Sequence, residues 1–202
     1  MYRVEGHAPS GVSFLASMRD TELVSCGLDR AVRLWDVRST ATISTLALSR
    51  SPVTYLSVSG DNDDIILTGS ADGEVKMWDL RYDRVNPCLL LRGHKNRVTG
   101  LILQGNGNLI TSSLDGTIRL WDTPSGKCAQ TIAAFESYGV DSITLSQSAA
   151  DTNSFLRFKS SDRSTSSDSD GFHASRKSSQ SSWLAAKSTT GKLRIWKCEL
   201  QC

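Results

Sequence analysis

Apolar and polar positions along this chain fall into short runs rich in β-branched residues. Ala31-Val32-Arg33-Leu34-Trp35 and Thr117-Ile118-Arg119-Leu120-Trp121 are two of them, with the composition of strands. Turn-forming clusters separate the runs. Gln104-Gly105-Asn106-Gly107-Asn108 stands between two apolar stretches, and Leu114-Asp115-Gly116 precedes the next, the chemistry of tight connections between neighbouring strands. Strands spaced roughly 8–12 residues apart, with no helical period between them, predict an antiparallel all-β protein.

The runs repeat. VSCGLDRAVRLWDVR, LTGSADGEVKMWDLR and ITSSLDGTIRLWDTP align without gaps, and Trp35, Trp78 and Trp121 are each 43 residues apart. A fourth copy, AAKSTTGKLRIWKCE, holds Trp196, 75 residues beyond Trp121, which is one period plus an insertion of 32. Gly6-His7 and Gly93-His94 stand 28 and 27 residues before the tryptophans of the first and third copies. Self-similarity at such a period marks a repeat architecture.

A period near 43, a Gly-His pair and a terminal Trp-Asp resemble the WD-repeat family of β-propellers. The resemblance implies one four-stranded blade per repeat. The expected fold is therefore a partial propeller of four antiparallel four-stranded blades. It also implies a buried polar set in each blade, in which Asp accepts from His, His meets a hydroxyl, and the hydroxyl meets the indole N–H. The sets are His7, Ser25, Asp29 and Trp35 in blade one, and His94, Thr111, Asp115 and Trp121 in blade three. Blade two has Thr68, Asp72 and Trp78, but Leu48-Ser49 in place of Gly-His. Blade four keeps only Trp196, with Ala186, Thr190 and Phe135-Glu136 at the other places. Asp, His and a hydroxyl together imitate a nucleophilic triad. A set that recurs in several repeats is better read as structural, each buried polar group satisfying the next. No catalytic residue is assigned.

Repeats one to three and the start of four occupy residues 1–145, and residues 183–202 complete repeat four. Between them, residues 146–182 hold 14 serines in 37 positions. Such a stretch cannot bury enough apolar surface to offset its ordering, so a disordered insertion in blade four is expected. Arg176-Lys177-Ser178-Ser179 suits a basophilic kinase, and Ser167-Asp168-Ser169-Asp170 an acidophilic one, making Ser167, Ser169, Ser178 and Ser179 candidate phosphorylation sites. His173 lies in the same stretch and has no metal partner in sequence. Four repeats are fewer than the roughly seven or eight blades that the resemblance implies. Residues 1–5 look like the outer strand of an earlier blade, and the six residues after Trp196 leave no room for an outer strand in blade four. The expectation is the C-terminal part of a larger propeller, or a half-ring that self-associates.

Composition narrows the function. There are 23 Lys+Arg against 21 Asp+Glu, a net charge of +2, which gives no electrostatic reason to expect nucleic acid as partner. No apolar run approaches the roughly 18 residues of a membrane span, and Met1–Ser10 lacks the basic and apolar regions of a signal peptide. Five widely spaced cysteines without a CxxC pair fit free thiols in a reducing compartment, cytoplasm or nucleus. Asp61-Asn62-Asp63-Asp64 lacks the Gly and distal Glu of a calcium loop, and Gly105-Asn106-Gly107 lacks the third Gly and the helix of a dinucleotide site. No metal or cofactor is expected.

These features suit a non-catalytic protein–protein interaction scaffold, whose function lies in surface loops. Arg50, Lys95 and Arg97, near the blade starts, are the candidate contacts. Trp35-Asp36-Val37-Arg38 and Trp78-Asp79-Leu80-Arg81 also resemble the WDxR box of cullin-4 ubiquitin-ligase substrate receptors, which implies that Arg38 and Arg81 help to dock the ligase adaptor. The plainer reading is that each Arg pairs with a neighbouring carboxylate; blade three departs, with Trp121-Asp122-Thr123-Pro124. A third alternative is the C-terminal propeller of a BEACH–WD trafficking scaffold.

Overall fold

The computed structural model describes residues 6–39, 41–46, 49–59, 64–83, 86–104, 107–146, 155–158 and 182–201. Among them there are sixteen strands and no helix. Sheet 1 is β1 (Val12–Met18), β2 (Glu22–Gly27), β3 (Val32–Asp36) and β4 (Ala41–Leu46) in that order. Sheet 2 is β5 (Val53–Ser59), β6 (Ile65–Ser70), β7 (Val75–Asp79) and β8 (Leu89–Leu91), and sheet 3 is β9 (Val98–Leu103), β10 (Asn108–Ser113), β11 (Thr117–Asp122) and β12 (Lys127–Ala133). All neighbouring strands pair antiparallel.

The four tryptophans occupy one register position. Leu23 faces Trp35, Ile66 faces Trp78, Leu109 faces Trp121 and Leu184 faces Trp196, each across the second and third strands of its sheet. In every sheet a register shift lies where the inner strand begins, at Val12/Phe14, Val53/Tyr55, Val98 and Val140/Ser142. A bulge at that point strengthens the local twist, which lets each sheet turn against the next.

Sheet 4 departs from expectation. β13 (Val140–Ser146) pairs with β15 (Ser182–Ser188), β15 with β16 (Leu193–Gln201), and the outer place is filled by β14 (Phe155–Phe158). The outer strand of this sheet therefore comes from inside the 146–182 stretch, and that stretch is not wholly irregular. Phe155 pairs with Gln201 and Phe158 with Cys198. An uncovered β16 edge would leave a row of N–H and C=O groups unpaired, and Phe155-Leu156-Arg157-Phe158 is the apolar-rich segment able to satisfy it. Ser146 and Ser182 likewise belong to strands. The rest of the serine-rich stretch lies outside the described residues.

Three apolar layers hold the sheets in series. Val24, Val32, Leu34 and Leu46 of sheet 1 pack on Leu56, Ile66 and Trp78 of sheet 2. Leu67, Val75 and Leu91 of sheet 2 meet Val98, Leu101, Leu109 and Trp121 of sheet 3. Ile110, Ile118 and Leu120 of sheet 3 meet Val140, Leu184 and Trp196 of sheet 4. Each fully buried aliphatic side chain contributes roughly 1.5–3 kcal/mol of transfer free energy, so these layers supply most of the cohesion between sheets. Threonines stitch the inner strands across them. Thr54 Oγ1 donates to the Val98 carbonyl at 2.8 Å and Thr99 Oγ1 to the Val140 carbonyl at 2.7 Å.

The turns between second and third strands share one design. Gly116 has φ +81°, its amide donates to the Ser113 carbonyl, and the Asp115 carboxylate accepts the Thr117 amide at 2.9 Å. Gly73, φ +86°, repeats this with Ser70, and Asp72 accepts from Glu74. In sheet 1 the left-handed place is held by Arg30, φ +69°. A side chain there costs roughly 1 kcal/mol relative to glycine. Arg30→Gly is therefore expected to raise thermal stability, by up to about 1 kcal/mol after the entropy glycine adds to the unfolded chain. Thermal denaturation of the two chains checks this, and a clear loss of stability contradicts it.

Candidate functional site

The Asp, His and hydroxyl positions converge in sheets 1 and 3. His94 Nδ1 lies 3.1 Å from Asp115 Oδ2, His94 Nε2 lies 2.7 Å from Thr111 Oγ1, and Trp121 Nε1–H donates to that oxygen at 2.9 Å. With the proton on Nδ1 every group is matched: the indole donates to Thr111, Thr111 to the imidazole, and the imidazole to Asp115. Thr117 Oγ1 and the amides of Thr117 and Lys95 also donate to Asp115. In sheet 1 His7 Nδ1 is 2.8 Å from Asp29, His7 Nε2 is 2.7 Å from Ser25 Oγ, and Trp35 Nε1 donates to Ser25 at 2.7 Å. Arg33 adds a 2.5 Å contact to Asp29. Burial pushes both carboxyls up, but these hydrogen bonds outweigh it and hold Asp29 and Asp115 below the ordinary carboxylate range, Asp115 well below.

Local backbone explains why glycine precedes the histidine. A Cβ on Gly93 would lie 3.0 Å from the Trp121 ring and 2.6 Å from the Arg119 guanidinium. The chain passes over the indole so closely that only glycine brings His94 into reach of Thr111.

Nothing in these sets is arranged for catalysis. Ser25, Thr111, His7 and His94 are buried, and each hydroxyl already accepts an indole N–H. A nucleophilic oxygen needs to be reachable by substrate. Among the described residues, no cluster of three or more His, Cys, Asp or Glu could hold a metal ion. Cys26 is buried, and burial pushes its thiol up to about 12.

Sheet 2 does not form the expected set. Thr68 and Trp78 are buried, yet among the described residues Thr68 Oγ1 and Trp78 Nε1 have no hydrogen-bond partner. Asp72 is exposed and accepts the Glu74 amide of its own turn. Ser49 stands where the other two blades have the imidazole, and among the described residues no side chain links Asp72 to Thr68. Ser49 Oγ instead meets Ser70 Oγ at 3.1 Å and receives Lys76 Nζ at 3.3 Å.

The basic candidates sort to opposite edges. Arg50, Lys95 and Arg97 are exposed in the connections leading into β5 and β9. Those connections are tied to the second turn of each sheet by Ala71 N to Pro52 O and Leu114 N to Arg97 O, both 2.9 Å. Arg38 and Arg81 are exposed on the other edge, where Val37 N to Thr21 O and Leu80 N to Asp64 O, also 2.9 Å, tie the remaining turns. Arg81 closes its fork on Asp79, Nε at 2.9 Å and Nη2 at 2.6 Å, and holds that carboxyl below its usual range. The Arg38 amide donates to Asp36 at 2.8 Å. Beside Arg81 stands Tyr82, 84% exposed, its ring 5.5 Å from the guanidinium. Sequence reasoning missed Tyr82, although an aromatic directly after the Trp-Asp-x-Arg run was visible. Ser167, Ser169, Ser178, Ser179 and His173 lie outside the described residues.

The sequence profile described as "WD domain, G-beta repeat" matches residues 1–36, 41–79 and 86–122, more than half of the chain. The chain belongs to the WD-repeat family. No curated protein matches it. The WD40 β-propeller domain of Doa1 is similar at 17% identity, over 95% of this chain and 51% of that one, with a TM-score of 0.64. The computationally designed Ika4 protein is similar at 22% identity, over 96% of this chain and 94% of that one. The designed Ika8 protein matches at the same identity over 96% and 47%, and the TM-score is 0.65 for both. The chain thus spans about half the length of Ika8 and of the Doa1 domain. Its four sheets are blades of a partial propeller, and the fourth, whose repeat the family profile does not reach, is a blade like the others.

The contrast between blades two and three is measurable. Thr111→Val is expected to cost about 1–3 kcal/mol, because it strands the Trp121 N–H and the His94 ring nitrogen. Thr68→Val removes an unpartnered hydroxyl and is expected to be neutral or slightly stabilising. Urea denaturation of both variants reads the difference; equal losses would contradict the assignment.

Proposed function

We propose that this WD-repeat chain is a non-catalytic protein–protein interaction scaffold. The observation that carries the reading is a division of polar chemistry. The Asp–His–hydroxyl sets of blades one and three are sealed among their own partners, while Arg50, Lys95, Arg97, Arg38 and Arg81 stand exposed on two edges of a rigid frame. Exposed charges on rigidly held turns suit recognition of an acidic protein surface, where they set orientation and encounter rate.

The finer reading, docking to the cullin-4 ligase adaptor, draws support from Arg38 and Arg81 sharing one edge. It is weakened by the fork that Arg81 already closes on Asp79.

Two charge-reversed chains test both readings: Arg38→Glu with Arg81→Glu, and Arg50→Glu with Lys95→Glu and Arg97→Glu. Cross-linked partners from cells are compared by mass spectrometry, and binding of the purified adaptor is titrated. The scaffold reading expects a discrete partner set that one edge variant loses while its melting temperature stays near wild type. Partners indifferent to both variants overturn it. The adaptor reading expects binding that Arg38→Glu with Arg81→Glu weakens at least about tenfold, as for a contact near the centre of an interface; no binding by the wild type ends that reading alone.

A further inference from the structure

Blade four keeps the frame of its neighbours but not the chemistry inside it. Glu136 stands four residues before Val140, where His94 stands four before Val98, and Thr190 stands six before Trp196, where Asp115 stands six before Trp121. Thr190 Oγ1 lies 3.0 Å from Ser188 Oγ, and Ala186 replaces the hydroxyl of the second strand. This blade therefore has no Asp–His bond to close the corner between its first connection and its second turn. A cleft of about 530 Å³ lies at that corner, between the connection leading into β13 and the start of β16. Phe135, Glu136, Ser137, Tyr138, Lys192 and Arg194 line it.

The cleft is formed by parts of the chain that are adjacent inside the fold. Lys192, Arg194 and Trp196 alternate along β16, and Trp196 and Phe135 pack into the apolar layer shared with sheet 3. The Thr189 amide donates to the Gly139 carbonyl at 3.0 Å, the tie that Leu114 and Arg97 make in sheet 3. The cleft thus belongs to the edge that carries Arg50, Lys95 and Arg97. Arg50 and Lys95 stand three residues before Val53 and Val98, and Ser137 holds that place before Val140. In blade four the positive charge of the edge comes from the third strand rather than from the connection.

The residue two before each tryptophan is basic: Arg33, Lys76, Arg119 and Arg194. Arg33 and Lys76 each meet a carboxylate of their own blade, Asp29 at 2.5 Å and Glu74 at 3.8 Å. Blade four offers no counterpart, since Thr190 stands at the Asp place and Lys192 at the place of Glu74. Among the described residues neither Lys192 nor Arg194 makes an ion pair. Each lies over a ring, Lys192 Nζ 4.8 Å from the centroid of Tyr138 and Arg194 Cζ 5.5 Å from that of Phe135. A ring face orients a cation without cancelling its charge.

The charge count selects the ligand. Two cations against Glu136 leave one positive charge, which a single carboxylate balances. A guanidinium takes a carboxylate through two parallel N–H donors, and an ammonium beside it adds a third. A nucleobase would need an open aromatic face to stack on; Phe135 is buried under Arg194, and Tyr138 carries Lys192. We propose that this cleft receives an aspartate or glutamate side chain of an acidic protein segment, held by Arg194 and Lys192. The proposal rests on the scaffold reading and names one contact for it, on the edge of Arg50, Lys95 and Arg97.

The test is fluorescence anisotropy on the 202-residue chain with two labelled peptides, one carrying six glutamates and one the same length with six glutamines. Lys192, Arg194 and Glu136 are exposed, so their variants are expected to keep the wild-type circular dichroism and melting temperature. The wild type is expected to bind the glutamate peptide at least about tenfold more tightly than the glutamine peptide. Lys192→Gln with Arg194→Gln is expected to abolish that preference. Glu136→Gln removes the one opposing charge and is expected to tighten binding about two- to fivefold, the scale of an exposed charge pair. Lys127→Gln, at the start of β12 on the opposite edge, is expected to leave the affinity within about twofold. A wild type indifferent to the two peptides overturns the proposal. So does a preference that survives in the double variant, or one that Lys127→Gln lowers as much as the double variant does. A single-stranded oligodeoxythymidine that binds the wild type more tightly than the glutamate peptide, and loses that affinity in the double variant, gives the cleft to nucleic acid and overturns it as well. Each of these results ends the cleft assignment alone, because the scaffold reading falls only if cellular partners ignore both edge variants.

Discussion

A tryptophan buried between two sheets must hide its ring and still find an acceptor for its N–H. Much of this fold answers that requirement. In blade three the acceptor is Thr111, and Thr111 is held by His94, which is held by Asp115. The imidazole connects the start of the blade to its second strand, and Asp115 connects both to the turn before the tryptophan strand. One polar chain thus ties three separate segments together around one ring, while the apolar layers supply the cohesion between blades. The pattern of breakage supports this division. Blade two has lost the histidine, its Thr68 and Trp78 groups are orphaned, and it still packs as tightly as its neighbours because its aliphatic positions are intact.

The legible part of the structure was the part written locally. Tryptophans 43 residues apart located three blades, and the copy AAKSTTGKLRIWKCE around Trp196, one period plus an insertion further on, located a fourth that lacks the polar set. Asp-Gly before the third strand placed the turns. The sets of blades one and three were implied by the family resemblance once their Gly-His, hydroxyl and Asp positions were matched, and the structure brings those side chains to hydrogen-bond distance. What stayed hidden was non-local. The pairing of β14 with β16 joins residues 40–46 apart in the chain, and nothing near Phe155 announces an open edge so far away. Thr68 and Asp72 carry the right side chains, and only the missing imidazole at Ser49 shows that they do not meet. Arg30 does not look like a left-handed residue until the three turns are compared.

The same separation of roles bears on function. Side chains that resemble a catalytic triad are spent on holding the tryptophan, while the basic candidates stand exposed on the turn edges. The edges present guanidinium and ammonium groups, a polar surface of the kind that the proposed scaffold role would use to select partners by charge.

The central claim is that indole, hydroxyl, imidazole and carboxylate act as one unit, and a double-mutant cycle between its two ends tests that most directly. Trp121→Phe removes the donor at one end and Asp115→Ala the acceptor at the other; the two side chains are linked through Thr111 and His94. Denaturation of the single and double variants gives their coupling. A connected unit predicts a coupling of roughly 0.5–3 kcal/mol, as for residues in one hydrogen-bond network, and its disappearance when the cycle is repeated with His94→Ala. Effects that add to within about 0.3–0.5 kcal/mol, with His94 present, would contradict the account.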